Sequence, residues 1–160
     1  MSEAPPETDG EEVDDAFRAV LEGLRTTLPG VQVLFAFLLI LPLQESFDAL
    51  AASERVAFYF AFFGSAVASI LLIAPSAHQR IRAPISGVKR QSARHLHMTI
   101  RITIAGTIIF AVALVAAVFL VSSLVIDETI GVVLATIAVA GLLGWSWFYV
   151  PLVSFAAEKR

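Results

Sequence analysis

From Ile102 to Ile126 the chain runs 25 residues without an Asp, Glu, Lys or Arg, "ITIAGTIIFAVALVAAVFLVSSLVI". At about 1.5 Å per helical residue this reaches roughly 37 Å, more than the roughly 30 Å hydrocarbon core of a bilayer. Lipid offers no hydrogen-bond partner to backbone N–H and C=O groups. A helix, which pairs them internally, is the fold such a run can take. Val56 to Ala77 is a second run, of 22 uncharged residues. A third covers Thr129 to Ala157 and carries an aromatic cluster, Trp145, Trp147, Phe148 and Tyr149. Such rings suit a membrane interface, where ring bodies meet lipid and polar tips meet water. Composition agrees: the chain is 58% hydrophobic and 16% charged, against roughly 45–50% and about 25% in soluble domains.

The stretch "GVQVLFAFLLILPLQESF", Gly30 to Phe47, is harder to read. Its apolar centre, Val31 to Leu43, is 13 residues, only about 20 Å of helix. The full 18 residues give about 27 Å, enough to cross with snorkelling or local thinning. Pro29 suits a first helical turn, with Thr26 or Thr27 as its cap. Pro42 is expected to kink or end the helix, leaving Phe47 and Leu50 in the outer interface. Upstream, Val13, Phe17, Val20, Leu21, Leu24 and Leu28 fall on one face of an amphipathic helix over 12–28. Residues 1–11 are acidic and offer little to pack, which predicts a disordered tail. They also lack the basic region that opens a cleavable signal peptide.

The expectation is an all-α membrane protein: a four-transmembrane-helix bundle preceded by an amphipathic N-terminal helix. The transmembrane domain would occupy 29–157, with spans at about 29–47, 55–77, 101–126 and 129–156. A basic loop, 78–100, would join the second and third spans. With four crossings, ten of the eleven basic residues share one side: Arg18, Arg25, Arg80, Arg82, Lys89, Arg90, Arg94, Arg101, Lys159 and Arg160. Arg55 stands alone on the other. The positive-inside rule then predicts a multi-pass protein of the cell membrane with both termini cytoplasmic. Arg80, Arg82, Lys89, Arg90, Arg94 and Arg101 are expected to touch anionic lipid headgroups. Nucleic acid is not an expected partner, because this patch lies against a membrane and has no aromatic platform.

Ionisable groups at mid-membrane depth are the strongest functional signs in such a protein, and these spans contain none. Their absence counts against an ion-coupled pump built from one copy. Gln32 is the large polar side chain inside a span, suited to hydrogen bonding with a neighbouring helix. Glu45 follows the Pro42 break and is the nearest carboxylate to the spans. His95 and His97 do not share a helix face, so a joint metal or pH-sensing role would need His78 to fold back to them. Small residues recur every fourth position at Ala57, Ala61, Ser65 and Ser69, at Ala113 and Ala117, and at Thr136, Ala140 and Gly144. That spacing lets membrane helices approach closely. There is no Cys, no phosphate-binding glycine loop, no nucleophile elbow and no zinc-protease helix. Neither enzymatic activity, nor a cofactor, nor a metal site is expected.

Two stretches, "GVQVLFAFLLILPLQESF" and "LLIAPSAHQR", resemble a family of small four-helix prokaryotic membrane proteins classed as a domain of unknown function. The matching residues are Gly30, Val31, Gln32, Leu34 to Leu39, Leu41 and Pro42 in a GVQ-x-LFAFLL-x-LP pattern. Ala74, Pro75 and Arg80 match an AP-x-x-x-HR-like pattern, with Gln79 at the His position and His78 one place earlier. The resemblance implies a four-pass bundle and brings no activity with it. It draws attention to Gln32, Pro42, Glu45, Pro75 and Arg80 as functional or packing residues. The leading functional expectation is a non-catalytic module that works by helix association, as a homo-oligomer or with a membrane-protein partner. The alternative is a small oligomeric channel or transporter, ion or proton linked, with Gln32, Pro42 and Glu45 near its path.

Overall fold

The computed structural model describes residues 8–86 and 93–158, with side chains over 13–81 and 94–154. Among these, every regular element is helical: α1 (Thr8–Ile40), α2 (Ala52–Ser86), α3 (Ala93–Val125), α4 (Thr129–Leu143) and α5 (Val150–Glu158). Four spans are long and apolar enough to cross a membrane: Val13–Leu43, Ala52–Ile81, Arg94–Val125 and Thr129–Ser154. The chain is thus a multi-pass helical membrane protein. α1 to α3 hold 33, 35 and 33 residues, about 50 Å each, so they outrun the hydrocarbon core by about 20 Å. The excess falls at the end that bears Arg18, Arg25, Arg80, Arg94 and Arg101, the basic end. The opposite end carries Glu45, Asp48, Glu54, Asp127 and Glu128.

The expected amphipathic helix 12–28 and first span 29–47 are not separate pieces, because α1 runs unbroken through Pro29. Its buried residues are Phe17, Leu24, Val31 and Leu38, seven apart, with Leu21, Leu28, Phe35 and Leu41 half-buried beside them. A seven-residue repeat keeps one seam against a partner helix. It passes Pro29 in phase, so a break there would turn Val31 and Leu38 away from the core. Pro29 lies on the exposed flank, where the carbonyl left unpaired by its missing N–H is not buried. Thr26 and Thr27 do not cap a new helix. Both hydroxyls donate back to the Gly23 carbonyl, at 2.8 and 3.0 Å. Residues 8–11, expected in the disordered tail, are helical; residues 1–7 lie outside the described part.

Pro42 stops α1 by entering a single 3-10 turn, Leu41–Leu43, and Gln44 then turns extended. The span therefore ends short of Phe47, which sits in a second such turn, Glu45–Phe47. Phe47 and Leu50 fold back onto the bundle. Leu50 is buried with Leu38, Ala57, Ala61, Ala117 and Leu120, and the Phe47 ring meets Phe58 edge-on at 5.0 Å. The loop expected over 78–100 is mostly helix, since α2 reaches Ser86 and α3 begins at Ala93; residues 87–92 lie outside the described part.

α2 and α3 form the central pair, packed through Ala57, Ala61, Ser65, Ala68 and Leu72 on one side and Phe110, Ala113, Ala117 and Leu120 on the other. Two of the small-residue stripes are thus used within the chain. The hydroxyls of Ser65 and Ser69 donate to the Phe62 and Ser65 carbonyls, both at 2.9 Å, so the α2 stripe presents no unpaired hydroxyl to α3. α1 packs on α2 and more lightly on α3, while α4 packs on α3 alone. The bundle is therefore open on one side. α4 continues through a wide π turn, Gly144–Tyr149, marked by the Val150 N–H donating to the Trp145 carbonyl. Pro151 follows at once, and its missing donor favours such a register shift. The turn brings Trp147 onto Phe110, ring centroids 6.1 Å apart.

A Cβ built at Gly64 would stand 3.0 Å from the Ala113 Cβ, which is fixed to backbone, while nothing lies within 4 Å of one at Gly141. Gly64→Leu should lower the thermal midpoint in detergent, by the equivalent of about 1–3 kcal/mol. Gly141→Leu should leave it unchanged.

Candidate functional site

At the acidic end the chain fixes a tight hairpin. The Arg55 guanidinium donates to the Asp48 carbonyl at 2.7 Å. The Ala51 N–H donates to the Glu54 carboxylate at 2.8 Å, half of a capping box at the start of α2. Arg55 is thus engaged in the turn between the first two spans. Glu45 is exposed within its 3-10 turn, and Pro42 is exposed one turn earlier.

Gln32 is exposed on α1. No intrachain hydrogen bond is found for its amide among the described residues. It is thus not glue between helices of this chain, as the sequence suggested. About 20 Å along the chain separates it from Glu45, and Gln32, Pro42 and Glu45 line neither the polar cleft nor the apolar groove among the described residues. Pro75 and Arg80 lie at the opposite end from Pro42 and Glu45, so the five residues do not converge. Pro75 is buried inside α2, one turn beyond the point where Gly106 lets the α3 backbone approach Leu71 and Leu72.

Arg80 is brought into a constellation that the sequence reading did not assemble. Arg18, Leu21, Glu22 and Arg25 of α1 face Ser76, Gln79 and Arg80 of α2 across a cleft of about 470 Å³. Its signal in the sequence is spacing: Arg18, Arg25 and Gln32 follow the buried Phe17, Leu24 and Val31 by one residue each. They form a polar line beside the seam. Arg18 makes an exposed ion pair with Asp15 at 3.5 Å, whereas Arg25 and Arg80 form none with another described residue.

His78 does approach His95, with ring centroids 6.4 Å apart, and His95 also meets Phe17 at 6.0 Å. His97 is exposed. No group of three metal-ligating side chains occurs among the described residues. Arg94 and Arg101 are exposed on α3; Lys89, Arg90 and the Arg82 side chain lie outside the described part. The remaining clefts differ in kind. An apolar groove of about 480 Å³ runs between α2, α3 and α4, where Ala140 and Gly144 line it with Val56, Phe60 and Val112. A smaller cleft, of about 230 Å³, sits at the acidic end among Ser53, Glu54, Ser123 and Asp127.

A helical, multi-pass chain with a polar cleft at its basic end is the class these observations define. The chain belongs to the family of unknown function DUF6328, whose model matches residues 6–151. No curated protein and no solved structure matches it.

The hairpin contact predicts a local effect. Glu54→Ala should raise the exchange rate of the Ala51 amide about five-fold, as expected for a lost cap of about 1 kcal/mol. Amides in the centre of α3 should keep their protection in the same experiment.

Proposed function

We propose that this chain is a non-catalytic membrane module that self-associates through the exposed flank of α1. It lies in the cell membrane with the basic end and both termini cytoplasmic, because five described Arg residues mark that end and Arg55 alone marks the other. Gln32 carries the reading. It lies about 10 Å along the helix from Arg25, inside an uncharged run from Thr26 to Gln44. An amide facing hydrocarbon without a partner is unfavourable by several kcal/mol. A carboxamide both donates and accepts, so it is self-complementary across a two-fold axis. Pro29 and Ala36, on the same flank, are compact enough for a second α1 to draw near. The α2 and α3 small-residue stripes do not compete for this role, being spent inside the chain.

The transporter alternative has weaker support, since Gln32, Pro42 and Glu45 line neither the polar cleft nor the apolar groove among the described residues. Native mass measurement in mild detergent separates the outcomes. The wild-type chain is expected as an oligomer. Gln32→Leu should raise its dissociation constant five-fold or more, given about 1 kcal/mol or more per interhelical hydrogen bond. Gln32→Asn should retain part of the association. A wild type that is monomeric throughout, or a Leu variant that assembles equally well, would refute the proposal.

A further inference from the structure

The cleft at the basic end faces a well-defined level of the membrane. On α1 the uncharged run begins directly after Arg25, and on α2 it ends just before Arg80. Two antiparallel helices thus stop being lipid-compatible at the same height, and the cleft between them opens there. This is the height of the headgroups, where phosphate groups are dense.

The lining matches a phosphate group. Arg18, Arg25 and Arg80 contribute three guanidinium groups, and Glu22 one carboxylate, a net charge of +2. Ser76 and Gln79 add neutral hydrogen-bonding groups beside them. A guanidinium presents paired N–H groups that fit two oxygens of one phosphate. Arg25 and Arg80 have no carboxylate partner among the described residues, so their donors are available to a ligand. Arg18 and Arg25 are two helical turns apart on one face, about 10 Å along the axis. The cleft of about 470 Å³ between them and the Arg80 side of α2 leaves room for a phosphate. Leu21 supplies the apolar portion of the lining, on the side that an attached glycerol or acyl chain would meet.

We propose that this cleft is a binding site for a phosphate mono- or diester, with Arg25 and Arg80 as the principal ligands and Arg18, Ser76 and Gln79 as supporting ones. The shared chemistry is the phosphate oxyanion, presented either by an anionic lipid headgroup or by a soluble phosphate compound. The site is specific, unlike a general basic surface: it requires the α1–α2 cleft and does not depend on association through Gln32.

Native mass spectrometry of the full chain tests it with phosphatidylglycerol, phosphatidic acid and phosphatidylcholine added to a neutral detergent. The wild type should retain one anionic lipid at least ten-fold more strongly than phosphatidylcholine. The double variant Arg25→Gln, Arg80→Gln should lose that preference, while Arg55→Gln, at the other end, should keep it. A melting curve recorded for each variant shows whether the fold survives; the lysine pair Arg25→Lys, Arg80→Lys, keeping charge but not the fork, should fall between. Inorganic phosphate and pyrophosphate at millimolar levels distinguish the sources. If they displace the lipid or stabilise lipid-free protein, and the double variant abolishes that effect, the ligand is a soluble phosphate compound. If they do not, while anionic lipid is retained, it is a headgroup. Equal retention by wild type and folded double variant, or no preference in the wild type with no effect of phosphate, overturns the site.

Discussion

The contact between α2 and α3 at Gly64 and Ala113 holds the rest of the molecule in place. In lipid there is no hydrophobic gain from bringing two apolar helices together, so close packing must supply the attraction. Small side chains make it available: Ala57, Ala61, Ser65 and Ala68 on α2 meet Ala113 and Ala117 on α3, and Gly106 admits Leu72. α1 is then laid along this pair by a seven-residue seam, and the hairpin after it is pinned by Leu50 and Phe47. α4 has no comparable seam. Val132 is its buried residue, and it remains an outrigger on α3.

This arrangement explains which parts were readable from the sequence. Uncharged length alone located three spans, because lipid permits few alternatives to a helix. The fusion of α1 was less visible, since Pro29 reads locally as a helix start. Only the spacing of Phe17, Leu24, Val31 and Leu38 across it reveals continuity, and that spacing acquires meaning once a partner helix is present. The same holds for the helical extensions at Ser86 and Ala93: the cluster of basic residues looks loop-like locally, yet both helices continue past the span. The small-residue stripes were visible, but whether they serve this chain or another is a matter of tertiary contact.

The polar features show the sharper divide. Arg80 was singled out by a motif and by charge, but its neighbours Arg18 and Arg25 come from a helix more than fifty positions away. Pairwise spacing within α1 hinted at a polar line, and the antiparallel α1–α2 register turned it into a cleft. Gln32 moved in the opposite sense: residue type marked it correctly as unusual, while the fold places it outside the bundle. The exposed amide of Gln32 and the guanidinium groups of Arg25 and Arg80, which form no ion pair among the described residues, are both groups in want of a partner.

The proposed orientation turns on α1 crossing the membrane, so that its two ends face opposite sides. The chain has no Cys, so a single introduced thiol reports one position. Ser46→Cys lies in the hairpin after α1, and Ala19→Cys is exposed near its start. With a membrane-impermeant maleimide on intact cells, Ser46→Cys is predicted to react and Ala19→Cys to react only after permeabilisation. Reaction of Ala19→Cys from outside in intact cells would contradict the crossing.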